Sequence, residues 1–166
     1  EFEKGILKTN HKEAKTTDAN GTMVTFIPDD TIFKNFKYQY EFLENLLWNY
    51  CFLNAGLRII FNGKTYLSRN GLLDLLQRKT NEDEIRYPII HLKGDDIEVT
   101  ITHSNGYGEE IYSFVNGQHT TQGGTHQQAF REAFVKTIRD FYKKDYEVSD
   151  IRTAIVAAIA VRVVEP

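Results

Sequence analysis

The sequence predicts an α+β fold, in which a mixed sheet carries helices packed mainly on one side. Helical and strand patterns follow one another without strict alternation, which is typical of this class. Residues 154–164 are apolar at successive positions, which indicates a central strand with both faces covered. With 166 residues, 41% of them hydrophobic, the chain is long enough for one domain with its own core.

Periodicity and turn residues define the first half of the chain. From Phe36 to Tyr50, apolar residues recur at every third or fourth position, which predicts a helix that ends before Gly56. Asn62-Gly63 joins two apolar runs and predicts a hairpin. The expected elements are a strand at residues 2–7, a polar loop to residue 20, a strand at 22–27, the helix, the hairpin at 57–67 and a short helix at 72–76.

The second half of the chain is expected to supply most of the sheet. Apolar and polar residues alternate from Ile97 to Ile101, which predicts a strand with one apolar face. The expected elements are strands at residues 87–93, 96–103 and 110–116, a long helix at 125–144 and the central strand at 154–164. The apolar stripe of the long helix is expected at Phe130, Phe134, Ile138 and Phe141.

Charge and composition limit the classes of function. The net charge is −3, so any nucleic-acid contact has to come from a local cationic patch. The longest apolar run, residues 154–161, is too short to span a bilayer, and no signal peptide is visible. A single cysteine, Cys51, excludes a disulfide within the chain and favours the reducing cytoplasm. The missing initial Met and the end at Pro166 lead us to expect a fragment of a longer protein.

The residues do not predict a complete active site. The five histidines (His11, His91, His103, His119 and His126) are spread over different elements, so a zinc site is not expected. The acidic pairs at residues 29–30, 95–96 and 109–110 lie at turns or strand ends, where solvated carboxylates are ordinary. No Walker-type phosphate loop is present in the sequence. We therefore expect no catalytic residue and no metal ligand in this chain.

A glycine pair before the long helix is the most specific local signal. The sequence SFVNGQHTTQGGTH, residues 113–126, runs from a strand through Gly123 and Gly124 into the helix. Thr125 and Gln128 have the spacing of a capping box. Paired glycines at this place let the backbone approach a neighbour or an anion, but they are also common in plain turns. His126 fits either a surface position at the helix start or a proton-transfer role.

A cationic row is expected on the outer face of the long helix. Lys136, Arg139 and Lys143 have the spacing i, i+3 and i+7, and Lys144 follows. Such a row is either a solvated helix face or a cationic wall beside a DNA duplex. Charge alone favours the solvated face.

Several segments together resemble one protein family. They are GTMVTFIPDDTIF (residues 21–33), FLNAGLRI (52–59), NGYGEEIYSFVNGQHTTQGGTHQQAFREA (105–133) and the segment from Asp150 into residues 154–166. In this order they resemble the transducer domain of the B subunits of bacterial type IIA DNA topoisomerases. FVNGQHTTQGGTH and FIPDDTIFKNF are more similar to topoisomerase IV than to gyrase.

The resemblance implies a fold and a division into parts. The transducer fold is shared with a small-subunit ribosomal protein and the GHMP kinases, and it contains a left-handed βαβ crossover, against the usual handedness. Residues 1–20 would form the joint to a missing ATP-binding domain, and residues 21–166 the transducer domain. Gly123, Gly124, Thr125 and His126 would shape a loop near the domain interface, and Lys136, Arg139, Lys143 and Lys144 would lie beside DNA.

The resemblance also implies a function for the longer protein. A GHKL domain upstream would bind ATP and Mg²⁺, and the transducer would pass the nucleotide state to the DNA gates of a cytoplasmic isomerase. The partners implied are double-stranded DNA, the topoisomerase A subunit and a second B subunit. The family's nucleotide-contacting Gln-Thr-Lys loop would begin beyond Pro166, so this fragment alone is expected to be inactive. The alternative is a stand-alone nucleic-acid-binding module, and a free-standing hydrolase is third.

Overall fold

The computed structural model describes residues 1–164, so Glu165 and Pro166, which the predicted transducer domain includes, lie outside the described residues. The chain separates into two compact units, the first spanning Glu1–Tyr40 and the second beginning at Glu41. The boundary expected between residues 20 and 21 stays a prediction.

The first unit begins with a hairpin in place of one continuous strand. Strand β1 (Phe2–Glu3) pairs antiparallel with β2 (Ile6–Leu7). Lys4 and Gly5 both adopt positive φ angles, of 52° and 78°, and so reverse the chain between them. Residues 8–20 carry no helix or strand, as expected of a polar loop.

The strand expected at residues 22–27 does not form, so that prediction is wrong. Met23 and Ile27 are 92% and 91% exposed. Alternation alone does not make a strand, because its backbone N–H and C=O groups need a neighbouring strand, and none pairs with this segment among the described residues. Nearby, Tyr38 packs edge-to-face on Phe36, with ring centroids 4.8 Å apart.

The remaining helices and strands follow in this order: α1 (Tyr40–Leu53), β3 (Arg58–Phe61), β4 (Lys64–Leu67), α2 (Leu72–Lys79), β5 (Ile90–Lys93), β6 (Ile97–His103), β7 (Glu110–Val115), β8 (Gln118–His119), α3 (Thr125–Tyr142), α4 (Val148–Arg152) and β9 (Ile155–Val161). A 3₁₀ turn, Glu82–Glu84, interrupts the loop before β5. The Asn62-Gly63 hairpin is confirmed as β3 and β4. Helix α1 begins at Tyr40, four residues after Phe36, whose ring packs with that of Tyr38 outside the helix.

Strand β9 is the centre of a mixed five-stranded sheet with the order β5-β6-β9-β7-β8. It runs antiparallel to β6 and parallel to β7. The α+β class and the central position of this strand are therefore confirmed. Because β7 and β9 are parallel neighbours, α3 and α4 form a βαβ crossover between them. The left hand expected for this crossover stays a prediction.

The helices cover both faces of the sheet, which refines the expectation that they lie mainly on one side. On one face, α1 and α2 supply Phe52, Leu72, Leu75 and Leu76 to a core with Phe114, Val156 and Ala158. On the other face, Phe130 and Phe134 of α3 pack on Ile101, Ile155 and Ala157. The physical reason is that β9 is apolar at both odd and even positions, so each face buries a helix.

The apolar stripe of α3 is shorter than expected. Phe130, Phe134 and Ile138 are half-buried, whereas Phe141 is 77% exposed and packs on Tyr142 instead of the sheet. The buried residue of this helix is Val135. The prediction that Phe141 belongs to the apolar stripe of this helix is therefore wrong.

The start of α2 is fixed by neighbouring elements. Gly71 is the N-cap residue of the helix, with φ 63° and ψ −127°. As a glycine it has no side chain that could accept a hydrogen bond from the first turn. The Glu98 carboxylate of β6 accepts the Leu72 N–H at 3.2 Å, which places an anion at the helix N-terminus. The carboxylate of Asp74 accepts the N–H groups of Arg69 and Asn70, each at 3.0 Å, and so closes the turn before the helix.

Candidate functional site

The loop between β8 and α3 is anchored on strand β7. Thr120 donates both its N–H and its hydroxyl to the carbonyl of Ser113, each at 2.8 Å. The Ser113 hydroxyl lies 2.6 Å from that of Thr120, and Ser113 is only 1% exposed. The first residue of the loop therefore has a fixed position on the sheet.

The far end of this loop folds back on its beginning. Nε2 of His126 lies 3.3 Å from Oγ1 of Thr120. Because that hydroxyl donates to the Ser113 carbonyl, the Nε2 of His126 acts as the donor of this hydrogen bond. Burial lowers the pKa of His126, which favours the neutral form. The loop is thus tied at both ends, and proton transfer by His126 has no support in these contacts.

The glycine pair gives the loop its shape, but the predicted capping box is wrong. Gly123 has φ 78°, and Gly124, with φ 156° and ψ 179°, is the N-cap without a side-chain hydrogen bond. Thr125 is already the first helical residue. The Gln128 side chain points along the helix and donates to Glu132 at 2.8 Å, so it does not reach back to the helix start.

Replacing Gly124 with alanine is expected to lower the free energy of unfolding by about 1–3 kcal/mol. The added Cβ would lie 3.0 Å from Cε1 and Nδ1 of His126, at a φ that L-residues rarely adopt. Chemical denaturation of Gly124→Ala, His126→Ala and the double variant tests the cause. The steric part of the loss should vanish in the His126→Ala background. If the losses of the two single variants simply add in the double variant, a clash with His126 is not the cause.

The cationic row on α3 is less regular than the spacing predicts. Lys136 is exposed on the helix. Arg139 donates to the carbonyl of Tyr146 and pairs with Asp145 at 3.1 Å. Helix α3 ends at Tyr142, and the next residue of the row, Lys143, is its left-handed C-cap with φ 52°.

Lys144 lies 5.9 Å above the Tyr146 ring. Two members of the row, Lys136 and Arg139, therefore lie on one face of the helix. The other two, Lys143 and Lys144, lie beyond the helix end, at its C-cap and in the following loop. The predicted row is wrong at Lys143 and Lys144 because the helix ends at Tyr142, two residues before the expected end at residue 144.

A groove between α3 and α4 brings together cationic residues that the row did not include. We call it the α3–α4 groove; its cavity volume is about 340 Å³. Four cationic side chains (Arg131, Lys136, Arg139 and Arg152) and two acidic ones (Glu132 and Asp140) line it, with Gln128, Val135 and Val148. The lining side chains alone carry four positive and two negative charges, but the carboxylates of Glu109 and Asp145, which pair with Arg131, Arg152 and Arg139, offset this surplus.

One carboxylate holds both arginines at the base of the groove. Glu109, 18% exposed, accepts hydrogen bonds from Arg131 at 3.0 Å and from Arg152 at 2.8 Å. Burial alone raises the pKa of the Glu109 carboxyl, but the hydrogen bonds from Arg152 and Arg131 outweigh it and hold that pKa below its usual value. The expectation that Glu109 is an ordinary solvated acid is therefore wrong. Its partners come from α3 and α4, which sequence spacing does not relate.

The histidines and acids that the structure describes lie too far apart in the fold to form a metal centre. Among residues 1–164, no group of three or more His, Cys, Asp or Glu side chains could hold a metal ion. His103 instead lies 2.6 Å from the Tyr87 hydroxyl, and His91 lies 2.9 Å from Glu98. In the same described part of the chain, no helix is long and apolar enough to cross a membrane.

Comparisons with known proteins agree on one family. A family model described as DNA gyrase B matches residues 70–166. The B subunit of DNA topoisomerase 4 from Borreliella burgdorferi is 42% identical over 165 residues, which are 99% of this chain and 27% of the relative. The B subunit of DNA gyrase from Cytophaga hutchinsonii is 34% identical over all of this chain and 40% of the relative. The chain thus spans between about a quarter and two fifths of these curated relatives.

Solved structures support the fold. The 43K ATPase domain of Thermus thermophilus gyrase B, crystallised with an aminocoumarin, matches with a TM-score of 0.68 and 24% identity over 84% of this chain and 43% of that one. The B subunit of DNA gyrase from Myxococcus xanthus matches with a TM-score of 0.70 and 18% identity over 89% of this chain and 48% of that one. At these identities the likeness concerns the fold.

Proposed function

Because the chain belongs to the DNA gyrase B family, we propose that it is the transducer domain of a type IIA topoisomerase B subunit. In that role it couples ATP binding and hydrolysis elsewhere in the subunit to the motion of the DNA gates. The observation that carries this proposal is the 42% identity to the B subunit of a topoisomerase 4 along 99% of the chain. The five-stranded mixed sheet and its βαβ crossover fit the rigid body that such coupling requires.

The proposed activity belongs to a protein longer than this chain, since the chain spans 27% of that relative. ATP and Mg²⁺ are then held by the rest of the subunit, and the partners are double-stranded DNA, an A subunit and a second B subunit. We favour topoisomerase IV over gyrase because the topoisomerase relative is 42% identical and the gyrase relative 34%. Reconstitution of the full-length subunit with each type of A subunit tests this choice. Activity with the topoisomerase IV partner alone is expected.

We propose the α3–α4 groove as the surface that faces DNA. Lys136 and Arg139 are the members of the predicted row that line it, and Lys143 and Lys144 follow at the end of α3. Arg131 and Arg152 are largely neutralised by Glu109, so the exposed Lys136 contributes the charge that is most available to a phosphate. Contacts of this kind hold a duplex without reading its sequence.

We also propose that Gly123, Gly124, Thr125 and His126 form a loop at the interface with another domain. The support is the rigid anchoring of this loop on Ser113 and Thr120, which gives it a defined shape on the surface of the sheet. A fixed shape is what a complementary surface needs, because less conformational entropy is lost on docking.

Reversing the charge of Lys136 is expected to weaken DNA stimulation of ATP hydrolysis by the full-length subunit several-fold. Loss of one phosphate contact should also reduce the slope of log affinity against log salt by about 1. The DNA-independent rate of hydrolysis should stay the same. The comparison is Lys136→Glu against Lys15→Glu, an exposed lysine in the polar loop of the first unit.

The two outcomes separate the hypotheses. If DNA stimulation of ATP hydrolysis is lost in Lys136→Glu and kept in Lys15→Glu, the groove is supported as the DNA surface. If both variants keep or lose the stimulation equally, the groove is not the DNA surface. Strong DNA or RNA binding by a full-length protein that hydrolyses no ATP would instead favour the alternative, a stand-alone nucleic-acid-binding module.

A further inference from the structure

The turn between β7 and β8 holds the chain as it leaves the sheet. Asn116 and Gly117 form a two-residue turn with positive φ angles of 48° and 82°. The Asn116 side-chain amide donates from Nδ2 to the carbonyl of Val163 at 2.9 Å and accepts the Val163 N–H on Oδ1, also at 2.9 Å. Both backbone polar groups of Val163 are therefore bound by one side chain.

This pair of hydrogen bonds continues the strand pairing beyond its natural end. Strand β9 ends at Val161, whose carbonyl accepts the N–H of Asn116 at 3.0 Å. Beyond that point β7 has turned away and offers no more backbone groups. The amide of Asn116 replaces them, because it combines a donor and an acceptor in the geometry of a peptide group.

The opposite side of the exiting chain is held by a different turn. Arg162 donates its N–H to the carbonyl of Asp96, in the turn between β5 and β6, at 2.8 Å. The exit from β9 thus runs between two turns, each holding one of two successive residues. A cavity of about 480 Å³, lined by both turns and by the end of α1, lies beside it.

We propose that Asn116 is a positioning residue, which fixes the course of the chain after β9 and makes it move together with the β7–β8 hairpin. The loop of Gly124 and His126 is anchored on the same hairpin through Ser113, so a displacement of that loop is transmitted to Val163. The inference rests on the proposed coupling function. The hydrogen bonds are exposed, and they hold a direction of the chain more than they hold the fold.

The chain offers a matched control for a test of Asn116. Asn62-Gly63 forms the same kind of turn, with φ angles of 47° and 81°, in the β3–β4 hairpin. Glycine tolerates both turn positions, so Asn116→Gly removes the side chain without straining the backbone. Asn62→Gly makes the same chemical change at a turn without such a clamp. Asn116→Asp keeps the acceptor for the Val163 N–H and loses the donor.

Amide hydrogen exchange in this chain is the first measurement. The Val163 N–H is expected to exchange about five to ten times faster in Asn116→Gly than in Asn62→Gly, the loss expected for one net hydrogen bond. Asn116→Asp should lie between them. The free energy of unfolding of Asn116→Gly should fall below that of Asn62→Gly by no more than this one net hydrogen bond accounts for. Unchanged protection of Val163, or a loss of global stability in Asn116→Gly well beyond one hydrogen bond, overturns the proposal.

Strand passages per ATP hydrolysed, in the full-length subunit reconstituted with its A subunit, test the coupling. Asn116→Gly is expected to lower this ratio about fivefold at an unchanged rate of hydrolysis, and Asn62→Gly to leave it unchanged. Equal ratios for the two variants overturn the role of Asn116. Absence of ATP-dependent strand passage in the unsubstituted subunit would instead contradict the proposed function itself.

Discussion

Gly71→Ala is expected to lower the free energy of unfolding by about 3–4 kcal/mol, a large share of a domain's total stability. Gly71 has φ 63° and ψ −127°, a backbone conformation that costs other residues about 1–3 kcal/mol. An added Cβ would also lie 3.2 Å from the carbonyl oxygen of Phe52 and 2.9 Å from Oε1 of Glu98. The Phe52 carbonyl is backbone and cannot swing aside, and the Glu98 oxygen is the one that binds the start of α2.

Gly63→Ala is the control for this prediction. Gly63 has φ 81°, and a Cβ there would meet no atom within 4 Å. Its substitution carries only the penalty of the left-handed backbone, about 1 kcal/mol. Chemical denaturation of both variants and the unsubstituted chain gives the difference. Equal losses at the two glycines would show that the close contacts at α2 contribute nothing.

Glu109→Gln is expected to destabilise the chain by about 2–3 kcal/mol. The substitution leaves the guanidinium groups of Arg131 and Arg152 without a counter-charge next to the sheet. Breaking a fully buried pair costs about 3–5 kcal/mol, and the smaller figure here follows because Arg152 is 36% exposed. Glu132→Gln removes an exposed carboxylate from the same groove and should change stability by less than about 0.5 kcal/mol.

The dependence of stability on pH identifies the charge as the cause. The pKa of Glu109 is lowered in the folded state, so its stabilising contribution is present above the usual value of 4.5 and is lost as the pH falls through the folded pKa. Below that window the unsubstituted chain and Glu109→Gln should approach equal stability. A constant difference between them down to the lowest pH would show that the carboxylate charge is not responsible.

The sequence predicts correctly those elements that depend on a turn or an apolar pattern within a few consecutive residues. The Asn62-Gly63 hairpin and the two-sided apolar pattern of β9 each carry their information within a few residues, and both are confirmed. The segment at residues 22–27 has an equally good alternation but forms no strand. A strand forms only where a neighbouring strand accepts and donates its backbone hydrogen bonds, and alternation of apolar and polar residues does not indicate whether such a neighbour exists.

The site contains residues that periodicity could not bring together. Glu109, Arg131 and Arg152 come from a loop, α3 and α4, and only the crossover to β9 makes them neighbours. Asn116 lies at the end of the strand expected at residues 110–116, but its hydrogen bonds join it to Val163, 47 residues further along the chain. The cationic row was predicted in part, since Lys136 and Arg139 line one groove, whereas the helix end at Tyr142 displaces Lys143.

We propose that this domain works only as a coupling part of a larger ATP-dependent topoisomerase. The most direct test is ATP hydrolysis, with and without duplex DNA, by the full-length subunit and by this 166-residue chain side by side. We expect DNA to stimulate ATP hydrolysis by the full-length subunit, and we expect no hydrolysis by the isolated chain. Hydrolysis by the isolated chain, or a full-length subunit whose ATPase ignores DNA, would contradict it.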